Sequence, residues 1–420
     1  MCHDGLSRTG TAWSAQLSRH EVVLRDGGFV WPAELLIDLL HEHEMYHQHD
    51  ARFEPQQVVQ LVGEWIARTR AICRSRSNVP QLLIRGTRFD RATEIAGGRM
   101  IGMGLGVRPG KRHASINAYL QDADSGAVMA VERTFTDPDP SSGETPRSFA
   151  DLASTVVSRG VSLAGIASSQ LLIKSGKRTS AGLLILPRTS GQVAMNPQNF
   201  QWEHLKPPFA VENFAQLGER FASLPPAYLR PRRCTENLHV VAVHSVDSIR
   251  YDGARQQLEA TLFDGGGRTI TLIHPWHQRG SDGFESLFRT LQHRDDQIRF
   301  VCGHVRGAGQ MLQIRPVSVV VDVDGCRRIV LPWVTTDDQS KEKSSSGTET
   351  SEHRPPVIDQ FLHQLNETLA DLLLTGVEGA SVGSWEELAK VSREIGFSRV
   401  AHQISGLSDN LATRMNSVRW

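Results

Sequence analysis

The sequence predicts a mainly β protein with flanking α-helices, in which two consecutive five-stranded β units follow an N-terminal helical segment. Apolar residues recur with a period of two in the middle of the chain, where Ile116, Ala118 and Leu120 alternate with polar residues. Short turns rich in glycine and aspartate separate these runs, as is typical of antiparallel sheet. At both ends of the chain, apolar residues recur instead at helical spacing.

Residues 1–78 are predicted to form an N-terminal helical segment. Pro32 and Pro55 mark two helix starts, because proline fits the first helical turn. Residues 357–420 carry a similar apolar stripe and are predicted to form a C-terminal helical module. Residues 335–356, which precede this module, contain no hydrophobic residue apart from proline and are predicted to be a disordered linker.

The middle of the chain contains an internal repeat. The segments that start at Ser115 and at Gln257 both give two strands around a glycine turn, then a short helix and a further pair of strands. With the strand before them, each unit has the element order of an OB-fold, a five-stranded Greek-key barrel. We therefore expect two tandem OB-like five-stranded barrels, at residues 79–196 and 238–334, with a connector at residues 197–237.

The end of the second unit, GHVRGAGQMLQIRPVSVV, resembles the closing hairpin of single-strand-binding OB domains such as those of replication protein A. The resemblance is at the level of the fold, covers roughly residues 95–190 and 238–332, and includes no unique motif. It implies tandem barrels that bind single-stranded nucleic acid. OB-folds also bind proteins and oligosaccharides, so the fold alone leaves the ligand open.

Composition sets further bounds on function. The chain has 420 residues with 39% hydrophobic residues, and its 46 basic residues equal its 46 acidic ones. A uniformly basic nucleic-acid-binding surface is thereby excluded, although a local basic patch is not. The five scattered cysteines indicate reduced thiols, and the sequence contains no apolar run of about 18 residues. These features predict a cytoplasmic protein without a membrane span.

A local basic patch is predicted near the first barrel. Residues 68–112 contain 11 basic and 2 acidic residues, and such clusters suit a phosphate backbone. Lys174, Lys177 and Arg178 are expected at the tip of the last hairpin of that barrel. An ordinary solvated face is the alternative interpretation. The candidate phosphate contacts are Arg88, Arg108, Lys111, Arg112, Lys174, Lys177, Arg178, Arg230, Arg232, Arg233 and Arg306.

Four side chains are candidates for contacts with bases. Strand alternation points Asn117 and Tyr119 away from the core of the first barrel, and Phe263 away from the core of the second. Trp276 is a loop candidate for stacking. The alternative is that these side chains pack against the other barrel or against the N-terminal helices.

The segment from His43 to His47 matches H-E-x-x-H, in which two histidines on one helix face bind zinc. Glu64 is the best candidate for a third ligand. The alternative is a histidine-rich polar helix end, which we favour because a metalloprotease site is normally preceded by a sheet. We therefore predict no metal and no cofactor.

Together these observations predict a non-catalytic protein that binds single-stranded DNA or RNA within a larger bacterial assembly. Further protein partners are expected to bind the C-terminal helices. The main alternative is a protein-interaction scaffold or adaptor, in which the barrels and the tethered helices each bind a partner. A zinc-dependent hydrolase at HEMYH is a weaker alternative.

Overall fold

The structure is a computed structural model. It describes residues 4–50, 53–73, 85–86, 92–109, 113–138, 144–158, 160–179, 181–187, 192–196, 202–207, 209–211, 213–224, 230–293, 295–308, 311–323, 326–335 and 357–417. The chain forms two compact units. The helical unit comprises Met1–Thr87, Pro225–Pro231 and Ser351–Trp420, and the β unit comprises Arg88–Leu224 and Arg232–Thr350.

The regular elements are named here in chain order. The helices are α1 (Thr11–Asp26), α2 (Val30–His47), α3 (Pro55–Cys73), α4 (Phe149–Ala153), α5 (Leu163–Ser168), α6 (Phe214–Ser223), α7 (Ser281–His293), α8 (Val357–Thr375), α9 (Val382–Glu394) and α10 (Ser398–Ser417). The strands are β1 (Ala92–Pro109), β2 (His113–Asp122), β3 (Val128–Thr136), β4 (Val156–Ser158), β5 (Val161–Ser162), β6 (Gln170–Thr179), β7 (Leu184–Ile185), β8 (Val193–Asn196), β9 (Ala210–Val211), β10 (Leu238–Ala242), β11 (Ser245–Asp252), β12 (Gln257–Phe263), β13 (Thr269–Pro275), β14 (Ile298–Ala308), β15 (Met311–Val323) and β16 (Cys326–Val330). Within the described ranges, no helix is both long enough and apolar enough to cross a membrane.

The helical unit combines helices from both ends of the chain. Helices α1, α2 and α3 precede the β unit, and α8 packs against α3. One buried core contains Leu6, Leu35, Leu39, Val58 and Leu61 together with Leu373 of α8. An ion pair between Arg8 and Glu378 joins the same two parts of the chain.

The N-terminal helical segment and the C-terminal helical module expected from sequence therefore share one core. Each group of helices has an apolar stripe, and the two stripes are buried together. Gly5 makes the close approach possible, because a Cβ at this position would lie 2.5 Å from backbone atoms of Thr375 and Gly376. The predicted linker at residues 335–356 falls outside the described residues from position 336 onward.

The first sheet of the β unit has the strand order β3-β2-β1-β6-β7, and β8 also pairs with β6. Helix α5 packs against β1 and β2. Strand alternation places Ile116, Ala118 and Leu120 in the core of this sheet, together with Leu152 and Ile166 of the two short helices.

The second sheet has the strand order β11-β12-β13-β15-β14-β10-β9, and β16 pairs with β15. Strands β10 and β11 are consecutive in sequence, yet β11 lies at one end of this path and β10 lies next to β9 at the other end. Helix α7 covers the core through Phe284, Leu287 and Leu291. Residues of the predicted connector take part in the fold, since Phe214 and Leu217 of α6 belong to the same core.

The prediction of two closed five-stranded barrels is wrong in this detail. Among the described residues, the two sheets have six and eight strands, arranged as open paths of five and seven strands with one further strand paired beside each path. In the first sheet, the ends of the path meet only through an isolated bridge between Ala130 and Leu183. The mainly β fold with flanking helices is confirmed.

The two sheets pack against each other through a third core. It contains Ile101, Met103 and Tyr119 from the first sheet and Val240, Cys302, Val317 and Val320 from the second, with Trp202 between them. At Gly104 the pairing of β1 with β2 is irregular, and φ is +127°, a value that side chains rarely tolerate. The Ser318 hydroxyl donates a 2.6 Å hydrogen bond to the carbonyl oxygen of Met103.

Gly104→Ala should destabilise the β unit. A Cβ at Gly104 would lie 2.6 Å from the carbonyl oxygen of Val317, in a backbone conformation that also disfavours alanine. We expect a loss of about 2–4 kcal/mol in the free energy of unfolding, measured by urea denaturation. Gly253→Ala is the control, because a Cβ there has no neighbour within 4 Å among the described residues. Equal stability of the two variants would contradict this packing.

The C-terminal helices should stay bound to the N-terminal helices after the chain is cut between them. A protease site inserted near residue 342 allows cleavage in the folded protein, and size-exclusion chromatography then shows whether the fragments co-elute. We expect co-elution for the native sequence and release for Leu373→Asp, because Leu373 is buried in the shared core. Leu362→Asp is the matched control on the same helix, since Leu362 is 40% exposed. Separation of the native fragments would contradict the shared core.

Candidate nucleic-acid interface

The outward face of the first sheet changes from buried to exposed along its strands. Three rows of residues cross β1, β2 and β3 on this face, and they are Gly104–Tyr119–Ala130, Gly106–Asn117–Glu132 and Arg108–Ser115–Thr134. Because residues two apart on a strand share a face, the rows form one surface. The first row is buried, whereas Arg108 and Thr134 in the third row are exposed.

Tyr119 joins the two sheets through His304 of β14. Its hydroxyl lies 3.1 Å from Nε2 of His304, and Nδ1 of that ring lies 3.2 Å from the carbonyl oxygen of Glu236. A carbonyl oxygen can only accept, so Nδ1 carries the hydrogen and Nε2 accepts from the Tyr119 hydroxyl. Gly106 leaves room for the tyrosine ring, since a Cβ there would lie 3.1 Å from it.

Tyr119 cannot stack on a base, which corrects the role expected from sequence. Only 4% of the residue is exposed, and its ring belongs to the core between the sheets. The strand alternation was read correctly, because Tyr119 does point away from the core of the first sheet. The second sheet covers that outward face, which is the packing alternative stated above. Asn117, only 6% exposed, is buried on the same face.

Arginines from both sheets flank the Tyr119–His304 pair. Arg315 lies opposite His304 in the β14–β15 ladder. Burial lowers the pKa of His304 to about 4, and the positive charges of Arg108 and Arg315 lower it as well. The ring is therefore neutral at pH 7, and the cationic groups around it are the exposed guanidinium groups of Arg108 and Arg315.

A polar row continues from this point across the outward face of the second sheet. It runs through Arg306, Gln313, Thr271 and Thr261, which are all partly exposed. Nε of Arg306 donates a 2.7 Å hydrogen bond to Oε1 of Gln313, which fixes the guanidinium on the sheet. Phe263 follows Thr261 on the same face and is partly exposed. This strand face is the one that OB-folds use for ligands.

Glu132 connects the polar surface to a cavity of about 300 Å³. The cavity lies between β3 and β7 and is lined by Glu132, Arg133, Thr179, Leu183, Leu184 and Ile185. Burial raises the pKa of the Glu132 carboxyl group, and the charge of Arg108 opposes this effect. Burial and the nearby Glu132 carboxylate raise the pKa of the Cys234 thiol to about 12, so this thiol is protonated at pH 7.

The lysines of β6 do not sit at the hairpin tip, contrary to expectation. Lys174, Lys177 and Arg178 lie within β6, and the turn follows Thr179. Neighbours on a strand point to opposite sides, so Lys177 and Arg178 do not line one groove. Lys177 is 3.9 Å from the Glu94 carboxylate.

The remaining predicted residues are distributed over several places. Arg230 belongs to the helical unit, where its carbonyl oxygen accepts a hydrogen bond from Arg68. Arg232 and Arg233 belong to the β unit. Trp276 packs against the core of the second sheet, which leaves less of its ring for stacking. Arg88, Lys111 and Arg112 lie outside the described residues.

The HEMYH segment lies on α2, and its surroundings do not assemble a metal site. His43 is buried and its Nε2 lies 3.4 Å from the carbonyl oxygen of Thr9. Glu64, the expected third ligand, instead accepts a 2.7 Å hydrogen bond from Nε of Arg68. The described residues contain no group of three His, Cys, Asp or Glu side chains that could hold a metal ion.

His304, Arg315 and Glu132 are not among the residues selected from sequence. Strand alternation could have indicated the first two, because His304 flanks the inward Val305 and Arg315 flanks the inward Ile314. His304 and Arg315 lie near Arg108 because of how the two sheets pack, and the sequence pattern of a single strand does not show this packing.

Buried histidines should make the β unit unstable in acid. Burial lowers the pKa of His239 and of His304 to about 4, and that of His274 to about 3. An exposed histidine in the unfolded chain has a pKa of about 6.5, so between pH 6.5 and pH 4 the unfolded state binds more protons. The contribution of these neutral histidines to the free energy of unfolding is therefore fully present above pH 6.5 and is lost as the pH falls toward 4.

His239→Phe should reduce this pH dependence, because Nδ1 of His239 is buried and has no hydrogen-bond partner among the described residues. Thermal unfolding from pH 7 to pH 5 measures the effect, and we expect roughly 1–2 kcal/mol less acid destabilisation. The exposed His402→Gln is the control. An unchanged pH profile in His239→Phe would contradict the buried neutral histidine.

Two family models match the chain. Residues 235–355 match the YehQ C-terminal OB-fold domain, and residues 1–86 match the YehQ four-helical bundle domain. Protein YehQ of Escherichia coli (strain K12) is 25% identical over 225 residues, which are 52% of this chain and 35% of YehQ. The match thus spans about a third of that relative. The chain is therefore similar to YehQ, and the part of its second sheet from β10 to β16 is an OB-fold domain.

Proposed function

We propose that the β unit binds single-stranded nucleic acid, without catalysis, on the surface around Tyr119 and His304. The observation that supports this most is the position of Arg108, Arg306 and Arg315. These three arginines come from three strands of two sheets and surround one polar surface. Guanidinium groups neutralise phosphates and release counterions, which drives binding to a nucleic-acid backbone.

We further propose that the first sheet is a reduced OB-like unit, so that the chain has two in tandem. The order β3-β2-β1-β6-β7 corresponds to β13-β12-β11/β10-β14-β15 if β10 and β11 are one interrupted strand. The parallel bridge between Ala130 and Leu183 corresponds to the parallel pairing of Thr271 with Gln313. Helices stand at the same place in both units, since α4 and α5 lie between β3 and β6, and α7 lies between β13 and β14.

The OB ligand face is open to different extents in the two sheets. In the first sheet, only the end near Arg108 is exposed, since Tyr119 and Ala130 are covered by the second sheet. In the second sheet, the row from Arg306 to Thr261 is partly exposed, with Phe263 beside it. A strand bound here would place phosphates on the arginines, and Phe263 is the aromatic side chain on this face for base stacking.

Replacing the three arginines together should weaken binding to every oligonucleotide. We expect the Arg108→Ala/Arg306→Ala/Arg315→Ala variant to bind more weakly and with a flatter dependence of log K on log salt. Each phosphate contact contributes about 0.7 to the slope for a single strand, so the slope should fall by about 2. Fluorescence anisotropy with labelled single-stranded and duplex oligonucleotides over a salt series measures both quantities.

Arg399→Ala is the matched control, because Arg399 is exposed on α10 of the helical unit. Thermal unfolding checks that the triple variant folds. Absence of binding by the native protein at about 50 mM salt and micromolar concentration would contradict the proposal. An unchanged salt slope in the triple variant would show that the nucleic acid binds elsewhere.

A further inference from the structure

Two large apolar side chains lie on the otherwise polar outward face of the second sheet. Met311 of β15 is 60% exposed, and Phe263 of β12 is partly exposed. Their neighbours in sequence, Leu312 and Leu262, belong to the core, so Met311 and Phe263 point to the opposite side of the sheet. Both side chains can therefore contact a molecule that lies on this face.

Strand register places one small residue between these two side chains. Gln313 pairs with Thr271 in the parallel ladder of β13 with β15, and the same offset puts Met311 beside Thr269. Thr269 in turn lies opposite Phe263 in the β12–β13 ladder. Met311, Thr269 and Phe263 therefore form one row across three strands, and Thr269, in the middle, is exposed.

The spacing of the strands gives this row the width of one planar ring. Neighbouring strands are about 4.8 Å apart, so β12 and β15 are about 10 Å apart across β13. Side chains on strands stand roughly perpendicular to the sheet. A flat ring placed edge-on above Thr269 would need about 4.5–5 Å to the Phe263 ring and about 5 Å to the Met311 sulfur. The two distances add up to the separation of the strands, and we call this space the Phe263–Met311 slot.

Charged residues around the slot indicate how a nucleic-acid strand would lie on this face. Arg306 and Arg315, the proposed phosphate contacts, are on β14 and β15 at one side. At the other side, the exposed Asp247 of β11 lies opposite Thr261. Phosphates are attracted to the arginines and repelled by the aspartate. The backbone would therefore follow β14 and β15, with the bases directed across β13 toward β12.

We propose that one base of the bound strand inserts edge-on into the Phe263–Met311 slot, with its edge at Thr269. The inference rests on the proposed function. Phe263 and Met311 then cover the two faces of the base, and every base has such faces. The Thr269 hydroxyl both donates and accepts, so it can pair with the edge of any base. The slot therefore adds affinity for a base without selecting its identity.

Fluorescence anisotropy with two labelled strands of about 12 nucleotides tests the slot. One strand is oligo(dT), and the other is an abasic strand that keeps the phosphates and lacks the bases. We expect the native protein to bind oligo(dT) at least about tenfold more tightly than the abasic strand, in line with the contribution of a stacked base.

Phe263→Ala and Met311→Ala should each weaken oligo(dT) binding about tenfold. Affinity for the abasic strand and the salt slope should stay unchanged in both variants, because no phosphate contact is removed. Met195→Ala is the matched control, since Met195 is 43% exposed and lies on β8 of the first sheet. Thermal unfolding checks that each variant folds.

The double variant Phe263→Ala/Met311→Ala tests whether the two side chains act together. Loss of either side opens the slot, so the double variant should bind oligo(dT) about as weakly as each single variant. Two independent contacts would instead give a loss of about a hundredfold, which would overturn the inference.

Two further results would overturn the inference and leave the proposed function standing. They are equal affinity of the native protein for oligo(dT) and the abasic strand, and unchanged oligo(dT) binding by Met311→Ala. Absence of binding to both strands by the native protein would overturn the proposed function as well.

Discussion

The close contact between β1 and β15 at Gly104 sets the arrangement of the whole β unit. Without a side chain at Gly104, the backbone of β1 lies against Val317 and Ser318 of the second sheet. This contact turns the outward face of the first sheet toward the second sheet and encloses Tyr119. At the edge of this contact between the two sheets, polar groups from distant parts of the sequence come together, among them Arg108 and His304.

The same contact explains why some expectations from sequence succeeded and others did not. Alternation of apolar residues identified the strands and their inward faces, because it follows from the geometry of a single strand. The helix starts at Pro32 and Pro55 were also local features. The role of Tyr119 was wrong because exposure depends on what covers a face. The neighbours of a strand face belong to another sheet, and no pattern in β2 specifies them.

In the candidate site too, some residues could be selected from the sequence of a single strand, and others only from the pairing of strands in the structure. Arg108, Asn117 and Arg306 were selected from charge or alternation, and the structure places Arg108 and Arg306 at exposed or partly exposed positions, whereas Asn117 is buried. His304 and Arg315 became visible only through the register of β14 with β15. Glu64 was the expected third metal ligand. In the structure its carboxylate instead accepts a hydrogen bond from Arg68, four residues away on the same helix.

The shared core of the two chain ends has a consequence for the order of events during synthesis. Leu35 and Leu61 leave the ribosome before the β unit, whereas Leu373, which completes their core, is made after it. At about 5–20 residues per second, the delay is on the order of 15 to 60 seconds. The nascent N-terminal helices carry an incompletely covered apolar stripe during this time. Cellular chaperones therefore have a defined window in which to bind this chain, and the window closes when α8 emerges.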